Sequence, residues 1–278
     1  MGYKVTTADI QKLRKTTGAG MMDCKNALIE AEGNFDKAVE IIRKKGKAIA
    51  NKRADREAKE GVIFTKIIND GKVAAMLALN CETDFVAKTD KFMDFARKIL
   101  DAAIQTDAKN AEEVKTNVKV DGVLVQELIN EQIGVIGEKI DIPYYVKATA
   151  EYIESYVHMN NKLASLVLFN KKPADEEIGQ NICMQVVAMN PVGIDKDDVP
   201  EDIKQKELEI AKEQAIREGK PENLVEKIAM GRLNKFFQEA TLLNQQFIRD
   251  HKKVVKDYIK ENDKDLKVIK FYRFSLTD

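Results

Sequence analysis

The chain has 278 residues, in which 46 lysine and arginine residues balance 46 aspartate and glutamate residues. A zero net charge argues against a protein that binds nucleic acid or acidic lipid through its overall electrostatic field. Apolar residues make up 44% and charged residues 33% of the chain, which is the balance of a soluble globular protein of one to three domains rather than of a disordered one.

The cysteines and histidines predict neither a disulfide framework nor a metal site. Cys24, Cys81 and Cys183 are odd in number and lie far apart, and His158 and His251 are also well separated. The N-terminus lacks the apolar core of a signal peptide, and no apolar run reaches transmembrane length. We therefore expect a cytoplasmic protein with no metal, no cofactor and no membrane partner.

The first 46 residues have the pattern of three short helices. Thr6 and Thr7 can cap the first helix, the glycines of residues 18–20 form a turn, and apolar residues then recur at helical spacing over 21–32. The third helix is predicted over 35–45, with Gly46 ending it.

A polar connector over 47–59 leads into a strand region. Acids interrupt its basic residues, which favours a solvated linker over a phosphate-binding run. Residues 61–68 alternate as a strand, Asn-Asp-Gly at 69–71 is a hairpin turn, and the apolar run 73–79 predicts a buried returning strand.

Residues 80–88, Asn-Cys-Glu-Thr-Asp-Phe-Val-Ala-Lys, form the junction between that strand and a helix predicted over 91–104. Thr83 fits a helix N-cap, and Asp84 would then lie in the first turn, where a carboxylate suits the helix dipole. Phe85 follows Asp84, so an acid and an aromatic residue meet on a strand-to-helix turn. The alternative is that Phe85 is an ordinary core residue.

The pattern of two strands and a helix recurs after a shift of 90 residues. The second copy has strands at 152–157 and 163–169, a turn at 160–161 and a helix at 175–189. Between the copies, we predict a helix near 123–131 and a segment over 133–142 that leads to a strand at 144–149.

Two charged helices, 204–218 and 223–237, follow the second copy and are joined by Glu-Gly-Lys-Pro. A short segment at 258–262 and a closing strand at 267–274 complete the chain. These patterns predict an α+β fold. Its three units are a helical module over 1–55, a core subdomain over 56–145, and a related subdomain over 146–278 that carries a helical hairpin at about 200–238.

The sequence carries no catalytic or nucleotide-binding motif. Its glycine-lysine pairs lack the spacing of a phosphate-binding loop, and it has neither a nucleophile elbow nor a cysteine-histidine signature. We therefore expect a protein that is not an enzyme.

Two long motifs identify a family. Residues 13–28 (Leu-Arg-Lys-Thr-Thr-Gly-Ala-Gly-Met-Met-Asp-Cys-Lys-Asn-Ala-Leu) and 80–88 closely resemble bacterial translation elongation factor Ts, and the similarity continues through 136–140, 155–158 and the hairpin. That family is the guanine-nucleotide exchange factor of elongation factor Tu. The resemblance implies that this chain binds elongation factor Tu, both GDP-bound and nucleotide-free, and promotes GDP release without covalent chemistry.

The resemblance also implies which residues contact the partner. Residues 1–55 are similar to a ubiquitin-associated-like module that docks on the G domain through Arg14, Met21 and Met22; the alternative is that the methionines are core residues. Asp84 and Phe85 match the pair that enters the G domain of elongation factor Tu. There the phenylalanine shifts elements that hold the magnesium ion and the phosphate loop.

Further contact positions implied by the resemblance are Thr83, Ile136, Gly137 and His158, although His158 also fits an ordinary surface or core histidine. The sequence ends at residues 275–278, where some family members continue into a C-terminal helical module. The hairpin serves as a dimerisation or second-contact element in relatives, but its heptad pattern is too short to fix a partner. The sequence therefore leaves open whether the chain and its partner form a dimer of heterodimers.

Two rival functions remain. An adaptor that uses the core only as a scaffold would not change nucleotide release. A nucleic-acid-binding protein that uses residues 43–59 would show an affinity that falls steeply with salt.

Overall fold

The computed structural model describes residues 3–158 and 160–277, so the predicted outer limits of the first and last units, residues 1 and 278, lie outside it. The described residues combine eleven α-helices with small antiparallel sheets, which confirms the α+β class.

The helices are α1 (Thr7–Thr17), α2 (Met21–Glu30), α3 (Phe35–Lys52), α4 (Asp84–Ala87), α5 (Asp90–Ile104), α6 (Ala111–Asn117), α7 (Val125–Ile136), α8 (Glu176–Met189), α9 (Glu201–Arg217), α10 (Glu222–Ala240) and α11 (Val255–Asn262). The strands are β1 (Glu60–Ile68), β2 (Val73–Cys81), β3 (Lys119–Val120), β4 (Val123–Leu124), β5 (Asp141–Thr149), β6 (Tyr152–His158), β7 (Leu163–Phe169), β8 (Gln246–Phe247), β9 (Asp250–Val254) and β10 (Val268–Ser275).

Helices α1 to α3 form a bundle around a small aliphatic core. Thr6 caps α1 in a capping box with Asp9, and Gly18 ends α1 in the left-handed conformation with φ 70°. The buried side chains include Leu13 and Leu28, so each helix presents one apolar face to the others.

The prediction that α3 ends at Gly46 is wrong, since the helix continues to Lys52. Gly46 is a packing residue: a Cβ placed there would lie 2.7 Å from the carbonyl oxygen of Asn130 on α7. The missing side chain lets the two helix backbones approach closely, and this contact seats the bundle on the rest of the chain.

The segment before α7 also differs from its prediction. Val123 and Leu124 form a strand paired with Lys119 and Val120, and α7 begins at Val125 and continues to Ile136. Both turn residues, Asp121 and Gly122, have positive φ, as a two-residue hairpin requires.

Strands β1, β2 and β5 form one antiparallel sheet, and β10, β7 and β6 form another. Helix α5 covers the first sheet and α8 the second, and the remaining two faces pack against each other. Strand β2 is therefore buried on both faces, which explains its continuous apolar run.

The join between the sheets repeats itself along the sequence. The backbone N–H of Ile63 donates to the carbonyl oxygen of Asn161 at 2.6 Å, and that of Ile153 donates to Gly71 at 2.7 Å. The two donors, Ile63 and Ile153, are 90 residues apart, and so are the two acceptors, Gly71 and Asn161. The shift that relates the two sequence patterns therefore also relates the two bonds.

Helices α9 and α10 pair through small buried residues, Ala211, Ala215 and Ala229, as expected for a hairpin. Gly219, with φ 72°, makes the turn between them. Within the described part of the chain, none of the helices is both long and apolar enough to cross a membrane.

Candidate functional site

The candidate site is the turn that joins β2 to α4, and we call its residues Thr83–Phe85 the tip. Thr83 is the N-cap of α4, where its hydroxyl accepts a hydrogen bond from the backbone N–H of Val86 at 3.4 Å, and Asp84 lies in the first turn, as predicted. Phe85 is 81% exposed. The alternative of a core phenylalanine is therefore wrong, and the turn displays an aromatic ring to solvent.

Glu138 holds this turn from outside it. Its carboxylate accepts three hydrogen bonds, from the Thr83 hydroxyl at 2.6 Å and from the backbone N–H groups of Thr83 at 3.0 Å and Glu82 at 3.2 Å. Charge-assisted bonds of this kind are among the stronger hydrogen bonds in proteins. They fix the backbone immediately before Phe85.

Glu82 makes the reciprocal contact with the segment that carries Glu138. Its carboxylate accepts from the backbone N–H of Lys139 at 2.6 Å and from the Arg53 guanidinium at 2.6 Å, with Arg56 at 3.6 Å. Burial alone would raise the pKa of Glu82, but these donors and cations outweigh it and lower that pKa from its ordinary value. The Lys139 ammonium donates to the carbonyl oxygens of Ala54 and Arg56, so the end of the N-terminal bundle also joins the contact.

Asp84 is half-buried and pairs with Lys88 one helical turn later, at 2.6 Å. The hydrogen bond from Lys88 lowers the pKa of Asp84, and the same bond raises the pKa of Lys88. At neutral pH the tip therefore presents an ionised carboxylate beside the exposed ring.

Of the other predicted residues, Ile136 and Gly137 lie next to the tip. Ile136 ends α7, and Gly137 follows in the left-handed conformation with φ 79°. Because Glu138 comes next, this chain reversal positions the Glu138 carboxylate that holds the turn. The bonds from Thr83 to Glu138 thus hold the segment that follows Ile136 and Gly137 against the turn that carries Asp84 and Phe85.

His158 lies farther along, at the end of β6, where its Nδ1 is 3.0 Å from the hydroxyl of Tyr156. The turn after it, at Asn160 and Asn161, lines a cleft together with Asp84 and Lys88. His158 is half-buried, and its predicted role as a contact stays a prediction.

Arg14 is exposed in the last turn of α1, and Met21 and Met22 are exposed at the start of α2, Met21 by 51% and Met22 by 64%. The alternative of core methionines is therefore wrong. The turn between α1 and α2 lies against the end of α7, because a Cβ placed on Gly18 would be 3.6 Å from the side chain of Val135. The bundle surface and the tip are thus attached to the same end of α7.

Sequence reasoning missed Glu138 and Arg53 as contributors to the site. Both are charged residues in a chain with many, and nothing in their local pattern distinguishes them. Only the position of Glu138 directly after the helix-ending Gly137 offers a signal.

The described residues contain no cluster of three or more histidine, cysteine, aspartate or glutamate side chains that could hold a metal ion. All three cysteines are buried thiols. Burial raises the pKa of Cys81 to about 12.

Comparisons with known proteins agree on one family. A family profile described as Elongation factor TS matches residues 82–278, which include the tip, Glu138 and the hairpin. The chain is 46% identical over 272 residues to elongation factor Ts of Azobacteroides pseudotrichonymphae, covering 98% of each protein. It is 45% identical over 274 residues to that of Christiangramia forsetii (98% and 99%) and 45% identical over 272 residues to that of Porphyromonas gingivalis (98% of each).

Proposed function

This chain belongs to the elongation factor Ts family, and on that premise we propose that it is a guanine-nucleotide exchange factor that binds elongation factor Tu and promotes GDP release during translation elongation. It acts without covalent chemistry and, as a translation factor, in the cytoplasm. The finer proposal is that Asp84 and Phe85 insert into the G domain and disturb the magnesium and phosphate site.

The observation that carries the mechanism is the exposure of Phe85 on a turn whose backbone is already fixed. An exposed aromatic ring in water gains free energy when a partner pocket buries it. Because Glu138 and Glu82 hold the turn before binding, little conformational entropy is lost when the ring enters such a pocket. Asp84 brings a negative charge to the same place, where it can compete for groups that hold the phosphates and the magnesium ion.

An exchange factor must bind the nucleotide-free partner more tightly than the GDP-bound partner. By thermodynamic linkage, the bound factor then weakens the affinity of the partner for GDP by the same ratio. In our proposal Phe85 and Asp84 supply the difference, because their pocket opens only when the magnesium and phosphate contacts are disturbed. Arg14, Met21 and Met22 supply affinity that is common to both states. Thr83, Ile136, Gly137 and His158 complete the contact surface.

We also propose the division into a ubiquitin-associated-like module over 1–55 and core subdomains over 56–145 and 146–278, the latter with the inserted hairpin. The paired bonds of Ile63 with Asn161 and of Ile153 with Gly71 support two related subdomains, since one shift of 90 residues relates both strands and bonds.

The test is nucleotide release from elongation factor Tu loaded with a fluorescent GDP analogue and chased with unlabelled GDP. Catalytic amounts of the chain should accelerate release. Phe85→Ala should remove most of the acceleration, because truncating a buried aromatic anchor costs on the order of 2–4 kcal/mol. Ile269→Ala is the matched control, since Ile269 is also an exposed apolar residue, at 55%, but lies on β10.

Two other results are informative. Acceleration that survives Phe85→Ala would keep the exchange function and reject insertion of the tip. Absence of acceleration with the wild-type chain would favour an adaptor that binds elongation factor Tu without changing nucleotide release.

A further inference from the structure

We infer that Glu138 is a positioning residue for nucleotide exchange, which acts by holding the Thr83–Phe85 tip in its inserting conformation before the partner arrives. The inference rests on the proposed function and deepens it. Glu138 is placed to act through the turn, since its carboxylate is occupied by three donors of Glu82 and Thr83.

The tip needs such a residue because α4 has only four residues. Helices this short are not stable alone, since the cost of nucleating the first turn is not recovered by further hydrogen bonds. The order of the tip must therefore come from contacts outside α4. Glu138 supplies three of them, and loss of its carboxylate would leave two backbone N–H groups and one hydroxyl of the turn without their acceptor.

Hydrogen bonds run in both directions between the turn and the segment that carries Glu138, and we call this reciprocal contact the brace. Glu138 accepts from the backbone of Glu82, and Glu82 accepts from the backbone of the next residue, Lys139. Arg53 joins Glu82 at 2.6 Å and so ties the last turn of the N-terminal bundle to the same point. Gly137 directs Glu138 toward the turn, because its left-handed conformation turns the chain at the end of α7.

A positioning role predicts an effect on one step of exchange only. Docking through the bundle does not need the tip, so the concentration for half-maximal acceleration should change little in Glu138→Ala. Insertion does need it, so the release rate at saturating factor should fall about tenfold, the effect of roughly one to two net hydrogen bonds. A variant that merely unfolds in part would show the opposite split, with a normal saturating rate reached at a higher total concentration.

Two further variants separate shape from charge. Glu138→Gln keeps an acceptor for the backbone N–H groups and offers an amide donor to the Thr83 hydroxyl, so its saturating rate should stay within about threefold of wild type. Glu138→Asp keeps the charge but withdraws the carboxylate by one methylene, so it should fall about as far as Glu138→Ala. Glu138→Asp also replaces Glu138→Ala if the latter does not fold.

The decisive comparison is made in the Phe85→Ala background. If Glu138 acts only by positioning the tip, Glu138→Ala should slow release in the wild-type chain but cause a smaller further loss once Phe85 is gone, because only Asp84 then remains to be positioned. Equal losses in both backgrounds would overturn the inference. If Phe85→Ala has no effect on release, tip insertion itself fails, and that result is recognised independently of Glu138.

A second readout does not involve the partner. The Cys81 thiol donates a hydrogen bond to the carbonyl oxygen of Thr83 at 3.1 Å, so it lies under the turn that Glu138 holds. Alkylation by iodoacetamide should become faster at Cys81 in Glu138→Ala, while Cys183, buried in the other core, keeps its wild-type rate. Unchanged labelling at Cys81, or equal acceleration at both cysteines, would contradict a local positioning role.

Discussion

Gly46 on α3 and Gly134 on α7 face each other where the two helices cross: a Cβ placed on Gly134 would lie 2.8 Å from the Cα of Gly46. The side of α3 that touches α7 therefore has no room for even a methyl group. This crossing attaches the N-terminal bundle to the helix that leads directly into Gly137 and Glu138.

Gly46→Ala should consequently destabilise the protein, although alanine is the better helix former. The added Cβ would meet the carbonyl oxygen of Asn130 at 2.7 Å, and overpacking of this kind costs about 1–3 kcal/mol. The urea midpoint of unfolding measures the effect.

Gly231→Ala is the matched control, because Gly231 is also in the interior of a helix, α10, but has open space where a Cβ would stand. Here the higher helix propensity of alanine should stabilise the protein by up to about 1 kcal/mol. The same sign of change at both glycines would contradict the packing explanation of Gly46.

Local residue patterns were sufficient to predict most elements of the fold. The alternation of 61–68, the apolar run of 73–79 and the recurrence of both after 90 residues correspond to β1, β2, β6 and β7. The N-cap at Thr83 was also predictable, because capping depends on residues within one turn of the helix.

The failures share a physical cause, which is dependence on distant residues. Gly46 has the local signature of a helix end, but the backbone of α7, more than 80 positions away in sequence, determines its role. Whether Phe85 is buried depends on what the rest of the fold places above it, and the sequence contains many acids equivalent to Glu138. Nonlocal contacts of this kind leave no local pattern.

Met21 and Met22 should contribute to docking rather than to folding. Their side chains are exposed at the start of α2, and methionine adapts well to an apolar partner surface. The double variant Met21→Ala/Met22→Ala should raise the concentration of factor for half-maximal GDP release about tenfold or more, with little change in the saturating rate.

Ile29→Ala provides the comparison for the methionines, since Ile29 is 52% exposed on the same helix but two turns away. It should leave both kinetic parameters unchanged. Thermal unfolding of both the double variant and Ile29→Ala should stay near wild type, because exposed side chains contribute little to the core. If Ile29→Ala raised the half-maximal concentration as much as the double variant, docking would not be centred on the methionines.

The native chain should resist thiol reagents at pH 8. All three cysteines are buried, and burial raises the pKa of each, that of Cys81 to about 12, so little reactive thiolate forms. Mass spectrometry after iodoacetamide treatment should detect modification only slowly in the folded protein and rapidly in urea. Fast modification of Cys81 in the folded wild-type chain would show that the turn above it opens readily.

The brace at Glu82 should make stability depend on pH in the acid range. The backbone N–H of Lys139 and the Arg53 guanidinium outweigh burial and hold the pKa of Glu82 below its ordinary value of 4.5. A depressed pKa means that the carboxylate stabilises the folded state above about pH 4.5, and that this stabilisation is lost as the pH falls through the folded-state pKa.

Glu82→Gln keeps the size of the side chain but has no charge to lose. The wild type should therefore be more stable than Glu82→Gln at pH 7, and the difference in urea midpoint should shrink steadily below pH 4.5. Asp36→Asn, at an exposed position in the first turn of α3, serves to correct for general charge effects. A difference between wild type and Glu82→Gln that stayed constant from pH 7 to pH 3 would mean that the ionised carboxylate does not hold the turn.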